Sequence, residues 1–314
     1  MTIDPELLTS LGSFMSENPV AERQPGDIMA FRAATAQMYA AFTAPLDLPL
    51  GVEHHVFETQ SADGASVALH WFHPTTPATR ASAAVVHAHG GGRIAGDVSM
   101  FVPFIARFVA GSGVPFLSVE YRLAPEHPGS KSVEDVFAGL TWILSEAANL
   151  GIDPSRIAVM GESAGGGLAA STAIMARSAG IRLARQILIY PQLDDRTVCP
   201  DPELVSMVGS MYADNRAQWN AVLGDARGTE QVPATVAAAR LADFTGLTPA
   251  YLEVGSLDIF RDETTVYARN LWAAGVEAEL HVLPGLLHGW DHLPPFIGIH
   301  DNVYARRIEV LRAL

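Results

Sequence analysis

Residues 157–165 read Ile157-Ala158-Val159-Met160-Gly161-Glu162-Ser163-Ala164-Gly165. A short apolar run leads into a serine flanked by glycine two residues to either side, and Gly165–Ser178 then reads as a helix. A G-x-S-x-G between strand and helix is the pattern of a nucleophile elbow. The serine must stand on a sharp, strained turn. Glycines at the flanks remove Cβ atoms that would collide there, and the helix behind aims its first N–H groups at developing negative charge. The bland reading is a chance glycine turn in a chain with 27 glycines. The strand before and the helix after argue against it.

Outward from this point, strand and helix patterns alternate. Ala83–Ala88, Val114–Val119, Ile157–Met160, Gln186–Tyr190, Ala250–Val254 and Glu277–Leu283 read as strands. Between and after them, Met100–Ala110, Val133–Leu150, Gly165–Ser178, Asp262–Ala274 and Asn302–Leu314 read as helices. Asp153-Pro154-Ser155 reads as a turn. Upstream, Val52–Glu58 and Val67–Phe72 look like strands joined by the turn signal Ala62-Asp63-Gly64. The alternation predicts an α/β fold, a mostly parallel sheet covered by helices on both faces. Two segments fall outside the rhythm. Residues 1–50 carry helical stretches near Glu6–Met15 and Gly26–Phe42, punctuated by prolines. Residues 195–235 mix Met, Trp and Tyr irregularly between Pro200, Pro202 and Pro233. Both are expected to be helical additions that meet as a cap over a core of residues 51–194 and 236–314. Met207, Met211, Tyr212 and Trp219 are candidate pocket walls, although such residues are more often plain cap interior.

Composition narrows the function. Of 314 residues, 49% are hydrophobic and 17% charged, the latter below the roughly 25% of an ordinary soluble domain. The chain has ample apolar surface to bury, so disorder is excluded. Its length suits two domains, or one large domain with an insertion. The balance of 20 basic to 34 acidic residues gives −14, and Lys131 is the only lysine. Without a basic cluster, nucleic acid and anionic membrane are poor partners. A single cysteine, Cys199, excludes an intrachain disulfide and a cysteine-based zinc site. The N-terminus lacks the basic and apolar regions of a secretory signal, and no apolar run is long enough to span a bilayer. A soluble, cytoplasmic protein without a membrane anchor is expected.

A second glycine-rich stretch, His89-Gly90-Gly91-Gly92, follows the strand Ala83–Ala88. Consecutive glycines let backbone N–H groups face a substrate uncrowded, as an oxyanion hole requires. Two rivals compete. Gly90-x-Gly92-x-x-Ala95 fits a dinucleotide fingerprint, with Glu120 where a ribose-binding acid would sit, but this leaves the serine elbow unexplained. His87 and His89, two apart on a strand, could share a metal, but no third ligand follows at a suitable spacing. In the bland reading, His89 only hydrogen-bonds the glycine loop.

A serine needs a base, and the base needs an orienting acid, in the chain order Ser, Asp/Glu, His. Of the later histidines, His281 lies inside a strand pattern and reads as a packed side chain. His288 sits on the loop after Glu277–Leu283, at the same sheet edge as the elbow, with His292 as fallback. Asp258 follows Ala250–Val254 on a loop. Asp262 and Glu263 read as the first turn of a helix, where acids suit the dipole, and Asp194 and Asp195 fall where the cap begins. The assignment is therefore Ser163, Asp258 and His288.

Together, His89-Gly90-Gly91-Gly92, Tyr121-Arg122-Leu123-Ala124-Pro125-Glu126-His127-Pro128, Gly161-Glu162-Ser163-Ala164-Gly165-Gly166 and Asp258-Ile259-Phe260-Arg261-Asp262-Glu263 resemble the hormone-sensitive-lipase family of bacterial carboxylesterases. The resemblance runs from about residue 80 to the C-terminus. It implies an α/β-hydrolase core with a helical cap. It makes Ser163 the nucleophile, Asp258 the acid of a D-P-L-R-D-E motif whose proline is replaced by Ile259, and His288 the base of an H-G-F segment that here reads His288-Gly289-Trp290. The oxyanion donors it implies are the N–H groups of Gly91, Gly92 and Ala164, with His89, Gly90, Gly161, Glu162 and Gly165 as motif support. The expected activity is cofactor-free and metal-free hydrolysis of a small-molecule ester with a short to medium acyl chain. Lactonase, amidase or peptidase action on the same residues, and a non-catalytic ligand-binding homologue, are the alternatives. Oligomeric state stays open, a homodimer among the options.

Overall fold

The computed structural model describes residues 2–19, 23–76, 79–197, 201–293 and 298–314, with side chains 203, 205–207 and 209 also outside the description. Cys199 and the Met207 side chain therefore lie outside the described residues. The strands are β1 (Val52–Gln60), β2 (Ser66–Pro74), β3 (Ser82–Ala88), β4 (Phe116–Val119), β5 (Ile152–Glu162), β6 (Arg185–Ile189), β7 (Ala250–Gly255) and β8 (Ala278–Leu283). The helices are α1 (Pro5–Glu17), α2 (Ile28–Thr43), α3 (Val98–Ser112), α4 (Lys131–Leu150), α5 (Ala164–Ser178), α6 (Pro202–Leu223), α7 (Arg261–Ala273) and α8 (Gly298–Arg312).

The strands form one sheet in the order β1-β2-β4-β3-β5-β6-β7-β8. β1, β2 and β4 pair antiparallel, and every other pair is parallel. The parallel strands are buried on both faces, so they read as unbroken apolar runs. Ala84, Val86 and Ala88 of β3 and Ile157 and Val159 of β5 join the core beneath α4, α5 and α7. Ala83, Val85, Ala158 and Met160 alternate with them and pack beneath α3 and α8. The β1–β2 connection is the expected tight turn, with Gly64 at φ 82° and Ser61 N–H donating to the Ala65 carbonyl at 2.9 Å.

One expectation is corrected. Asp153-Pro154-Ser155 does not separate elements but lies inside β5. Asp153 Oδ1 accepts the Ser155 N–H at 2.9 Å, as in a free turn. The sheet absorbs this as an irregularity, the register on β3 stepping from Ser82↔Ile152 to Ala84↔Ile157. Local turn chemistry is satisfied without ending the strand.

α1, α2 and α6 lie over the carboxyl ends of the parallel strands. α6 holds 22 residues and bends at Val208 (φ −133°, ψ 23°). It is joined to the N-terminal segment by Asp214, whose Oδ1 accepts from Arg23 Nη1 (2.7 Å) and from the Gly26 N–H (2.9 Å). α1 is capped by Asp4, and the Asp4 N–H donates to the Gly285 carbonyl at 2.9 Å. The N-terminal helix is thereby tied to the loop after β8. Among the described residues, no helix is long and apolar enough to cross a membrane.

Candidate active site

Ser163 sits where β5 ends and α5 begins, at φ 56°, ψ −120°. A side chain rarely adopts such a backbone and persists there only when the surroundings over-determine it. The surroundings here are backbone. A Cβ on Gly165 would lie 1.9 Å from the Ala88 carbonyl oxygen, and one on Gly161 would lie 2.4 Å from the Gly165 oxygen. The Ser163 carbonyl accepts N–H groups from both Gly167 (3.1 Å) and Gln192 (2.9 Å). The two flanking glycines let β3 and α5 close on the turn.

Ser163 Oγ lies 2.8 Å from His288 Nε2, and His288 Nδ1 lies 2.7 Å from Asp258 Oδ2. The Asp258 side chain is fully buried, and its other oxygen accepts the Phe260 N–H at 2.8 Å. The carboxylate is thus fixed by its own loop and spends one oxygen on the imidazole. The loop carrying His288 is held by Asp291, which accepts from Tyr190 Oη (2.7 Å) and Arg307 Nη1 (2.6 Å). Burial opposes ionisation of Asp291, but Arg307 beside it holds its carboxyl below the usual range.

The other candidates are engaged elsewhere. His292 is buried against Tyr39 Oη at 3.3 Å, and His281 faces Glu279 at 2.7 Å. Asp262 pairs with Arg261 on the surface, Asp194 with Arg196, and Asp195 with Arg240. Glu263 is buried and accepts the Leu193 N–H at 2.5 Å, and burial pushes its carboxyl well above its ordinary range. Glu120 accepts the N–H of Val98 at the start of α3 (2.9 Å), a helix-capping position.

The glycine loop follows β3 at the same edge. Gly91 (φ 121°) could not carry a side chain, since its Cβ would meet the Ala95 oxygen at 2.0 Å. Among the described residues, none of the N–H groups of Gly91, Gly92 and Ala164 donates to another protein group. His89 is buried, and its Nδ1 lies 2.7 Å from the Gly90 carbonyl, which makes that nitrogen the donor. Burial lowers its pKa to about 4, so the ring stays neutral and braces the loop, as the bland reading expects. His87 does not share a partner with it. Its Nδ1 meets Ser118 Oγ at 2.9 Å and its Nε2 meets Glu162 at 3.0 Å. Burial works against ionisation of Glu162, yet neighbouring His87 holds it below its ordinary pKa.

Above Ser163 opens a cavity of about 350 Å³, at the small end of ligand-binding pockets. Leu7, Met38 and Phe42 contribute an apolar side from α1 and α2, while Asp214, Asn215 and Gln218 contribute a polar side from α6. Met211 lines it as expected, whereas Tyr212 and Trp219 are buried in the packing of α6.

Two features here carry no sequence motif. Gln192 Nε2 donates to Asn215 Oδ1 (2.7 Å) and to Gln218 Oε1 (2.9 Å), and Asn215 Nδ2 donates to the Thr197 carbonyl (2.6 Å). This fixes the Gln218 amide with its oxygen engaged and its NH2 toward the glycine loop. A Cβ on Gly92 would lie 2.6 Å from that nitrogen. The second is Arg93, next in the chain. It is 1% exposed, its guanidinium makes no hydrogen bond among the described residues, and it stacks 4.8 Å from the Trp219 ring. Burial lowers its pKa to about 10, which keeps it charged. The only sequence signal for either would be adjacency to the glycine loop, and that flags Arg93 alone.

A strained serine at the carboxyl edge of a parallel sheet, reached by a histidine and a carboxylate from later strands, defines an α/β hydrolase. A family model described as alpha/beta hydrolase fold matches residues 85–292, and the chain belongs to that family. Across 99% of its length it is 34% identical to carboxylesterase NlhH of Mycobacterium tuberculosis (strain ATCC 25618 / H37Rv), covering 95% of that protein. Hormone-sensitive lipase of Bos taurus is 33% identical over 132 residues, 42% of this chain and 18% of that one. Among solved structures, a bacterial heroin esterase superposes with a TM-score of 0.88 at 32% identity, over 99% of this chain and 98% of that one. The family expected from the motifs is the one found.

Proposed function

We propose that this protein hydrolyses carboxylic esters through an acyl-enzyme on Ser163. The observation that carries this reading is the unbroken line Asp258–His288–Ser163, with contacts of 2.7 and 2.8 Å, at a backbone turn that holds the serine exposed to the cavity. Esterase names among full-length relatives support the ester bond as the target.

In this mechanism His288 Nε2 takes the Ser163 proton as Oγ attacks the ester carbonyl. Asp258 holds Nδ1 protonated, so the imidazole presents the correct lone pair and its charge is offset as it forms. The oxyanion forms against the N–H groups of Gly91, Gly92 and Ala164, each worth about a hundredfold or more in rate. The buried Arg93 charge behind the loop adds a fixed positive field in a low-dielectric site. His288 then protonates the departing alcohol, and water activated by the same imidazole releases the acid. No step calls on a metal or cofactor.

Residues 1–50 and 195–235 act as the cap. A cavity of this size, closed on its apolar side by α1 and α2, favours short to medium acyl groups. Each added methylene gains about 0.8 kcal/mol until the space is full, and further carbons must displace packed side chains. The test is a series of aryl esters from acetyl to palmitoyl, with lactones and anilides alongside. Specificity constants should rise to butyryl or hexanoyl and then collapse. A palmitoyl optimum would overturn the capped reading, and faster turnover of lactones or anilides than of any ester would overturn the ester assignment. Labelling of wild type but not Ser163→Ala by an organophosphate should accompany turnover.

A further inference from the structure

We propose that the outer face of the β1–β2 hairpin is a binding site for a divalent transition-metal ion of the zinc type, held by Glu53, His55 and His73. The strand register brings these residues together. Glu53 lies directly opposite His73 across the antiparallel pair, and His55 follows Glu53 by two residues on the same face. Their donor atoms all lie within 4.8 Å of one another.

The spacing suits an ion better than an ion pair. Glu53 Oε2 lies 3.5 Å from His55 Nε2 and 3.7 Å from His73 Nε2. Hydrogen bonds between nitrogen and oxygen run about 2.7–3.2 Å, so neither imidazole is hydrogen-bonded to the carboxylate. A tetrahedral ion with bonds of about 2.0–2.1 Å sets its ligands about 3.4 Å apart. Both edges that meet at Glu53 already fall within a few tenths of an ångström of that figure. The neighbouring pair on the hairpin shows the contrast: His54 Nε2 and His70 Nδ1 are 3.0 Å apart, a hydrogen bond that occupies one nitrogen of each ring.

The tautomer is also set. His73 Nδ1 lies 3.0 Å from the Pro74 carbonyl, which can only accept, so Nδ1 carries the proton and Nε2 keeps its lone pair. This is the outer-shell contact that metal-bound histidines ordinarily make. The His55 and His73 rings stack 5.3 Å apart at 11°, so binding would turn the imidazoles out of this stack to bring both nitrogens to one point. Two imidazoles and one carboxylate favour zinc, nickel or copper over magnesium or calcium, which prefer all-oxygen shells. Glu53 and His55 are half exposed and His73 about a quarter, so an ion can enter from solvent and water can complete the shell. None of the three lines the cavity above Ser163. The ion would clip the edge strand β1 to β2, its only strand partner among the described residues.

The experiment is a Zn²⁺ titration of the full-length, chelator-treated chain by calorimetry, with the melting temperature read with and without the ion. Saturable binding of one equivalent and a raised melting temperature are expected. His55→Ala and His73→Ala should each weaken binding by more than the ~10-fold that loss of an outer partner costs, and should abolish the thermal shift. Glu53→Gln, which keeps the shape of the side chain, guards against a misfolded hairpin and should weaken binding as well. Undiminished binding in these variants would place the ion elsewhere, and no saturable binding to the unsubstituted chain would overturn the site outright.

Discussion

The floor and the roof of the cavity are built by different physics. Around Ser163 the constraints are backbone against backbone: carbonyls of Ala88 and Gly165 leave no room for a Cβ at positions 165 and 161. In the roof, α6 is held by side chains, through the Arg23–Asp214 pair and the Gln192–Asn215–Gln218 amides. Atoms of the main chain cannot be exchanged by substitution, whereas amides and ion pairs can. On the proposed mechanism, the location of the chemistry is rigidly encoded, and the choice of substrate rests on parts that can vary without unfolding the sheet.

The sharpest break in this comparison is at the floor. Ser163→Ala should lower ester turnover at least about ten-thousand-fold while circular dichroism and melting temperature stay near wild type. Asp258→Asn should cost about as much, because the imidazole then loses its tautomer; if Asp262→Asn proved the more damaging, the assigned acid would be wrong. Next, Gly165→Ala should destabilise the fold by on the order of 3 kcal/mol, since backbone must move to admit the methyl group. Denaturant unfolding reads this directly, and an unchanged midpoint would contradict the packing described for the elbow.

Acid should strike the floor as well. The pKa of His89 is lowered by burial to about 4, against about 6.5 in an unfolded chain. Its contribution is complete above about pH 6.5 and is lost as pH falls towards 4, because only the unfolded chain binds the proton in that window. The loss amounts to roughly 3 kcal/mol. His89→Gln, neutral throughout and able to donate to Gly90, should show a shallower decline in unfolding free energy between pH 6.5 and 4 (compared by denaturant titration at each pH). The smallest effect belongs to the roof. Gln218→Ala should cost only about 1 kcal/mol of stability, because Gln192 loses one of its two acceptors, and should reduce kcat/KM about tenfold, the scale of one lost hydrogen bond. Lost stability with kcat/KM unchanged would show that Gln218 serves the fold rather than the substrate.

How far the sequence could be read follows the same division. Ser163, Asp258 and His288 were accessible because each stands on a loop after a parallel strand, and strand patterns are local. The glycines at 161 and 165 announced a close approach, though not that Ala88 was its other side. The turn at Asp153–Ser155 misled because its local bonding is real and the sheet tolerates it. In α6 the periodicity was blurred, since Leu204, Tyr212 and Trp219 turn into packing while Met211 and Gln218 face the cavity. The Gln192–Asn215–Gln218 relay joins residues from a loop and a helix, and nothing in their spacing declares it. Arg93 has only its place after the glycine loop to single it out in the sequence, and its burial against Trp219 is a tertiary fact that no local pattern carries.

The fit between Gly92 and Gln218 bears on how such a chain can diversify. A Cβ at position 92 would lie 2.2 Å from the Gln218 carboxamide carbon, so the glycine loop and α6 are matched like a lock's ward to its key. A roof borrowed from a relative would inherit the old floor only if the residue meeting Gly92 were no bulkier and reached no deeper. Recombination between family members should therefore succeed where loop and helix travel together and fail where the crossover separates them. The unit of inheritance at this site is the pair, although more than a hundred residues of chain lie between its halves.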